Sequence, residues 1–282
     1  MWSIFKHKLL NNWLVILGWG IGLGFLGYFM IDIYETFIEQ NIDLAEMMAV
    51  IPAEFMTFFG GNADLTSPEG FLTIEFFSYI PVILGILIIS HATSLITGEE
   101  EEGTLELVIA QPISRTAVFW SKVSALVISL VLILAITWMG FVIGVIFSES
   151  FELSLGDLLN PFISLFALLL YFLGLSLLLS MILPSSKSAS FVTVLFLISG
   201  YFVTSLSMIE KRLEVINLFS PLRYYQTGEA LSGLKSGYLL ILFYYAIIYI
   251  LLAWFVFVKR DLHFGITGGL RIAVPGLHKT EK

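Results

Sequence analysis

The sequence predicts an all-α membrane protein with six transmembrane helices. Six stretches of the chain are strongly apolar, carry few charges and have about 20 residues or more, which is the length that crosses a bilayer as a helix. Helices are expected because every backbone N–H and C=O in hydrocarbon needs a hydrogen-bond partner within the same segment. The composition agrees, since 58% hydrophobic and 13% charged residues leave too little polar surface to enclose a soluble core.

The predicted elements begin with an amphipathic helix over residues 1–13, which we expect to lie in the membrane interface. Apolar residues recur in it at helical spacing, and they are Trp2, Phe5, Leu9 and Trp13. The spans follow at about residues 13–33, 71–97, 118–148, 158–183, 188–209 and 236–258. Together these elements form one transmembrane domain, residues 1–260, ahead of a cytoplasmic tail, residues 261–282.

Glycines in the first span predict close helix packing. Gly18 and Gly22 are four residues apart, and so are Gly20 and Gly24, so each pair lies on one face of the helix. Small residues at this spacing let another helix approach closely. Packing explains these glycines without any chemical role.

Prolines predict irregular points in two later spans and the end of one of them. Pro81 in the second span and Pro161 at the start of the fourth favour a kink or a broken turn, and Pro184 should end the fourth span. Residues 210–235 are too apolar for a free loop and too interrupted for a span, so we expect helices that re-enter the outer leaflet. The residues that mark this outer segment are Ser220, Pro221, Arg223 and Tyr224.

The distribution of basic residues predicts that both termini are cytoplasmic in a cell membrane. With this orientation ten Lys and Arg residues lie inside and four lie outside, as the positive-inside rule requires. The outer loops are acidic, which disfavours nucleic acid as a partner. The absence of cysteine excludes a disulfide framework and a thiolate metal site.

Residues 98–115 form the most informative polar stretch, and they lie on the cytoplasmic side. Gly98 and Gly103 flank four consecutive glutamates and are expected to break the helix of the second span. Leu105, Val108 and Ile109 then recur on one face of a short amphipathic helix. Its apolar face needs either the membrane surface or a partner protein to cover it.

The same stretch carries signals for where this helix ends and the next one begins. Pro112 should stop the short helix, and Ser114 can cap the helix that leads into the third span.

This stretch resembles the coupling region of permease subunits in the type-2 ATP-binding-cassette (ABC) exporter family. The resemblance rests on Gly-Thr-Leu-Glu after the acidic run and on the Pro-Ile-Ser-Arg that follows, and the order of spans extends it over nearly the whole chain. It implies that two permeases pair, as a homodimer or a related heterodimer, and that each receives a separate cytoplasmic ATPase. ATP and Mg²⁺ would bind to that partner, with no cofactor in this chain. The residues that the resemblance and the predicted coupling helix place at the ATPase are Glu99, Glu102, Gly103, Thr104, Leu105, Glu106, Val108, Ile109, Pro112 and Arg115.

The distribution of charge within the spans favours a transporter that is driven by an attached subunit. No charged residue lies near the midplane of a span, where a transporter driven by an ion gradient usually carries one. We expect the permeases to be surrounded by membrane lipid, with a translocation path between two of them. Aromatic and polar side chains could line this path, and the candidates are Tyr201, Thr204, Tyr244 and Tyr245.

Two other classes of protein remain as alternatives. An ATP-independent channel or a structural membrane component would have the same spans. An intramembrane protease is less well supported, because none of the four histidines lies in H-E-x-x-H and Glu101-Glu102 is followed by Glu106 where a prenyl-type protease has arginine.

Overall fold

The fold is a bundle of helices. The computed structural model describes residues 2–40, 52–60, 63, 64, 66–105, 113–149, 151 and 154–259. These residues contain no strand, and six of their helices are long and apolar enough to cross a membrane, which confirms the predicted class. The helices are α1 Trp2–Asn11, α2 Trp13–Glu39, α3 Ala53–Gly60, α4 Pro68–Glu101, α5 Arg115–Phe147, α6 Leu155–Ile182, α7 Ser186–Ser207 and α8 Ser236–Lys259.

Helix α2 continues to Glu39, well beyond the apolar stretch that predicted it. Tyr34 holds this extension in place, because its ring lies 5.2 Å from the ring of Phe71 and 5.0 Å from that of Phe151, centroid to centroid. The Tyr34 hydroxyl also donates a hydrogen bond of 2.7 Å to the carbonyl oxygen of Thr66. Hydropathy therefore predicts the membrane-spanning part of α2, whereas tertiary contacts determine where the helix ends.

Helix α4 is irregular at two places, where five-residue π-helical turns replace the α-helix at Thr73–Phe77 and Ser94–Gly98. The first irregularity lies just before Pro81, as expected, because Ser78 and Tyr79 form a turn there. The predicted break at Gly98 is wrong. The helix continues through this residue, since the Gly98 carbonyl accepts a hydrogen bond of 3.0 Å from the Glu102 N–H. It ends at Glu101, two residues before Gly103, which has φ +73°.

The other two prolines behave differently from each other. Helix α6 runs unbroken from Leu155 to Ile182, so the broken turn considered at Pro161 does not occur. Pro161 lies two turns into the helix, where it lacks the N–H for one intrahelical hydrogen bond, and its ring is buried. Helix α6 ends two residues before Pro184, as predicted.

Helices α4 and α6 occupy the centre of the bundle, and α1, α2, α5, α7 and α8 surround them. Helix α2 packs along α5, α8 packs along α6, and α7 contacts both α4 and α6. A cluster of buried aromatic rings fixes α4, α5 and α6 together. Its centroid distances are 4.8 Å for Phe76 and Phe141, 5.4 Å for Phe141 and Phe162, and 5.5 Å for Phe77 and Phe162.

The contact between α2 and α5 uses one of the two predicted glycine pairs. A Cβ atom on Gly24 would lie 3.1 Å from a backbone oxygen of α5, and one on Gly140 would lie 2.1 Å from the carbonyl oxygen of Gly24. A Cβ on Gly20 would also meet α5, whereas Gly18 and Gly22 face open space. The backbones of α2 and α5 therefore touch at Gly24 and Gly140, and Gly20 lies against the side chain of Ile136.

Candidate functional site

Networks of polar side chains occur at both ends of the bundle, and we name the ends by their elements. The α1 end contains α1, the last turns of α4, the start of α5 and the start of α7. The opposite end contains α3 and the connecting segment, residues 208–235, which is built of the short helical turns Lys211–Leu213, Glu214–Asn217, Pro221–Tyr224 and Gly228–Ser232.

Glu99 joins three helices at the α1 end. Its Oε1 lies 3.2 Å from Nζ of Lys8 on α1, and its Oε2 forms an ion pair with Nζ of Lys122 on α5. The Lys122 side chain is 3% exposed, so its charge needs a partner within the protein, and its ammonium also donates to the carbonyl oxygen of Leu95 at 3.4 Å. Glu99 thus neutralises a buried lysine and ties the end of α4 to α1 and α5.

Glu101 makes a separate contact with the first residue of α7. The N–H of Ser186 donates to Oε1 of Glu101 at 2.6 Å, and the Ser186 hydroxyl donates to Oε2 at 2.7 Å. The first N–H groups of a helix have no intrahelical acceptor, and the helix dipole favours a negative charge there. Ser185 completes the cap, because its hydroxyl accepts a hydrogen bond of 3.1 Å from the Ser188 N–H.

The described residues that follow the acidic run differ in their exposure. Glu102, Gly103 and Thr104 are exposed, whereas Leu105 is 2% exposed and belongs to the main hydrophobic core. The Thr104 hydroxyl donates back to the carbonyl oxygen of Glu99 at 3.2 Å. Leu105 therefore packs against the bundle itself, and a surface role falls to its exposed neighbours.

The remaining predicted residues of the coupling helix are divided between α5 and the part outside the described ranges. Arg115 is half-buried at the first position of α5, and Ser114 caps this helix by accepting a hydrogen bond of 3.2 Å from the Ala117 N–H, as predicted. The residues outside the described ranges are Glu106, Val108, Ile109 and Pro112.

At the opposite end, hydrogen bonds hold the connecting segment on α7. The Thr204 hydroxyl donates to Oδ1 of Asn217 at 2.7 Å and lies 2.9 Å from the hydroxyl of Ser220. The Ser220 hydroxyl donates to the Gly200 carbonyl at 3.2 Å, and the Asn217 amide donates to the Ser207 hydroxyl at 2.8 Å. Thr204 and Ser220 therefore stabilise the fold of this segment.

A second set of contacts holds the connecting segment on α4 and α6. The Gln226 backbone N–H donates to the hydroxyl of Ser164 on α6 at 2.8 Å. The Gln226 side chain donates from Nε2 to the Lys235 carbonyl at 3.2 Å and accepts at Oε1 from the Lys235 N–H at 2.7 Å. The hydroxyl of Tyr225 donates to the carbonyl oxygen of Phe77 on α4 at 3.1 Å, and burial raises the pKa of Tyr225. Gln226 and Asn217 are not among the residues predicted from the sequence, and the signal available for them was a side-chain amide among apolar residues.

Two cavities at this end separate the residues that were predicted to line a path. Tyr201 and Thr204 line a cavity of about 370 Å³ together with Arg223, beneath Phe58 and Phe59 of α3. A second cavity, of about 360 Å³, is lined by Tyr245, Pro221 and Tyr224 among others. Tyr244 is 62% exposed on α8. Within one copy of the chain the four predicted residues do not share a cavity.

Across the part of the chain that the structure describes, no group of three or more histidines and carboxylates is arranged to hold a metal ion. None of the curated proteins compared with this sequence matches it. A family model described as "ABC-2 family transporter protein" matches residues 6–262.

Proposed function

Since the chain belongs to the ABC-2 transporter family, we propose that it is the permease subunit of an ATP-driven exporter. In this proposal two permeases pair, the translocation path lies between them, and a separate cytoplasmic ATPase docks on residues 98–115 of each. ATP and Mg²⁺ bind to the ATPase. Binding of ATP draws the ATPases together, and the docked segments move the helices as rigid bodies between two arrangements.

The observation that carries this proposal is the attachment of the acidic segment to three other helices. Residues 99–101 contact α1, α5 and α7 through two carboxylates, and the exposed Glu102, Gly103 and Thr104 follow directly. A force applied at the exposed residues is thereby delivered to most of the bundle. A loop that served only to connect two spans would not need these contacts.

The charges within the spans support an external source of energy. Lys122 is buried, but its ammonium is neutralised by Glu99 at the α1 end of the bundle. Such a pair, close to the end of a span, stabilises structure and is poorly placed to carry protons through the membrane. The distribution of basic residues favours an orientation in which the α1 end and both termini face the cytoplasm, where an ATPase can reach them.

Association with the ATPase tests the proposal. We expect an affinity-tagged copy of the chain to co-purify with an ATPase from its native membrane, and the charge reversal Glu102→Lys to weaken that association about tenfold. Glu149→Lys, an exposed reversal at the opposite end, is the matched control and should leave it unchanged.

The alternatives predict different results in the same preparations. A channel would conduct ions in a purified bilayer without nucleotide, and this result would refute the exporter proposal. Because the chain has no native cysteine, single cysteines at positions 149 and 187 also test the orientation. Labelling of position 149 from the cytoplasm would reverse it.

A further inference from the structure

Glu101 links the end of α4 to the start of α7, and this contact has a mechanical consequence. We infer that Glu101 is a positioning residue that transmits movement of the docked segment to α7. The inference rests on the proposed function, because it assumes that an ATPase moves residues 98–105. It assigns separate roles to members of the glutamate run, which the sequence alone does not distinguish.

The two carboxylates that contact the bundle point in different directions. Residues two apart on a helix are separated by about 200° around its axis, so Glu99 and Glu101 face opposite sides of α4. Glu99 contacts the lysines of α1 and α5, and Glu101 contacts Ser186 of α7. Movement of this one turn therefore acts on two groups of helices at the same time.

The contact at Ser186 suits the transmission of movement. Both oxygens of the Glu101 carboxylate are engaged, at 2.6 and 2.7 Å, and hydrogen bonds to a charged acceptor are the stronger ones. They act on the first residue of a helix, so that displacing Ser186 displaces α7 from its end.

Helix α7 is one of the more exposed helices of the chain, although it also packs against α4 and α6. In its apolar window 28% of the residues are buried within the chain, against 67% for α6. The contact at its first residue therefore acts together with the packing of Leu197 on Gly85 in fixing α7 relative to α4. Thr97 donates separately to the carbonyl oxygen of Ser180 at 2.9 Å, so α4 stays attached to α6 when Glu101 is altered.

Two substitutions remove the link from its two sides. Glu101→Ala removes the acceptor. Ser186→Pro removes both donors, and proline is well suited to the first position of a helix. The preceding residue, Ser185, has φ −150° and ψ 154°, which is the extended conformation that proline requires before it. Lys187→Ala is the control, because Lys187 is exposed on the same helical turn.

The readout is the distance between two spin labels in the complex with the ATPase. We place the labels at Phe191 of α7 and Ile128 of α5, which are 70% and 39% exposed, and measure the distance with and without a non-hydrolysed ATP analogue. Nucleotide should change this distance in the parent protein and in Lys187→Ala. Glu101→Ala and Ser186→Pro should each reduce the change by about half or more, and the double variant should equal either single one, because both act on one contact.

Co-purification of the ATPase with each variant separates this inference from the proposed function. Retained association with a reduced distance change supports the inference. Retained association with an undiminished change in both single variants overturns it, and so does a parent complex in which nucleotide changes nothing. If the parent chain binds no ATPase, the proposed function itself fails. Glu101→Gln keeps one acceptor oxygen, so the nucleotide-dependent distance change in this variant should lie between those of Glu101→Ala and the parent. If Glu101→Gln folds as Glu101→Ala does and still shows the full distance change of the parent, this result also counts against the inference.

Discussion

Removing Glu99 and removing Lys122 should have very different effects on stability, although the two side chains form one ion pair. Glu99→Gln removes the negative charge that neutralises the buried Lys122 ammonium and leaves it only uncharged acceptors, the amide oxygen of the new side chain and the Leu95 carbonyl at 3.4 Å. Loss of one partner from a buried pair costs about 3–5 kcal/mol, and the 22% exposure of Glu99 lowers the expected cost to about 2–3 kcal/mol. Lys122→Met fills the same space without charge and leaves Glu99 paired with Lys8, so its cost should be below about 1 kcal/mol.

The assay is equilibrium unfolding of the purified chain in mixed micelles with increasing SDS, followed by tryptophan fluorescence. The double variant Glu99→Gln with Lys122→Met should be more stable than Glu99→Gln alone, because it no longer contains an unpaired buried charge. Equal costs for the two single variants, or simple additivity in the double variant, would refute this reasoning. Either result would mean that water or detergent already solvates Lys122.

Three further predictions concern single residues. Gly140→Ala should destabilise the chain by about 1–3 kcal/mol in the same unfolding assay, because its Cβ would lie 2.1 Å from the Gly24 carbonyl oxygen. Gly22→Ala is the control, because a Cβ at this position would meet nothing within 4 Å. Equal effects of the two substitutions would contradict the packing described. Gly103→Ala should cost about 1–2 kcal/mol from its φ of +73° alone, since open space surrounds its Cβ position, and an unchanged midpoint of unfolding would show that this turn is not held. Burial raises the pKa of Tyr225 above its ordinary value of 10.0, so the stability conferred by its hydroxyl is fully present below about pH 10 and declines as pH rises toward the folded-state pKa. Tyr225→Phe should therefore melt at a lower temperature than the parent at neutral pH, and the gap should shrink above about pH 10; a gap that widens would contradict the sign.

The spans could be predicted from the sequence because the bilayer imposes a minimum length of apolar helix, and this requirement is local. Helix ends were less predictable where a distant contact determines them. The extension of α2 depends on Tyr34, which packs against Phe71 and Phe151, and neither ring is near it in sequence. Gly98 was expected to break α4, but glycine only permits a break, and the Gly98 carbonyl finds an acceptable donor in the continuing helix.

The candidate site was predictable as a segment and not as individual contacts. The acidic run and its glycines identified residues 98–115, but the directions of the four carboxylates depend on the π-helical turn at Ser94–Gly98. Such a turn holds one more residue than an α-helical turn, so it rotates everything after it by about 100°. The pairing of Glu99 with Lys122 and of Glu101 with Ser186 follows from that rotation and from the position of other helices. The assignment of Tyr201 and Tyr245 to a translocation path between two copies of the chain stays a prediction.

The glycine contact between α2 and α5 limits how the molecule can change shape. Two helices that touch backbone to backbone, with Gly140 seated on the carbonyl of Gly24, cannot roll or slide past each other without a steric collision. They should move together as one rigid unit, and the ion pair between Lys122 of α5 and Glu99 of α4 lies at one end of it. Any bending has to be concentrated elsewhere, and the two widened turns of α4 are the natural hinges.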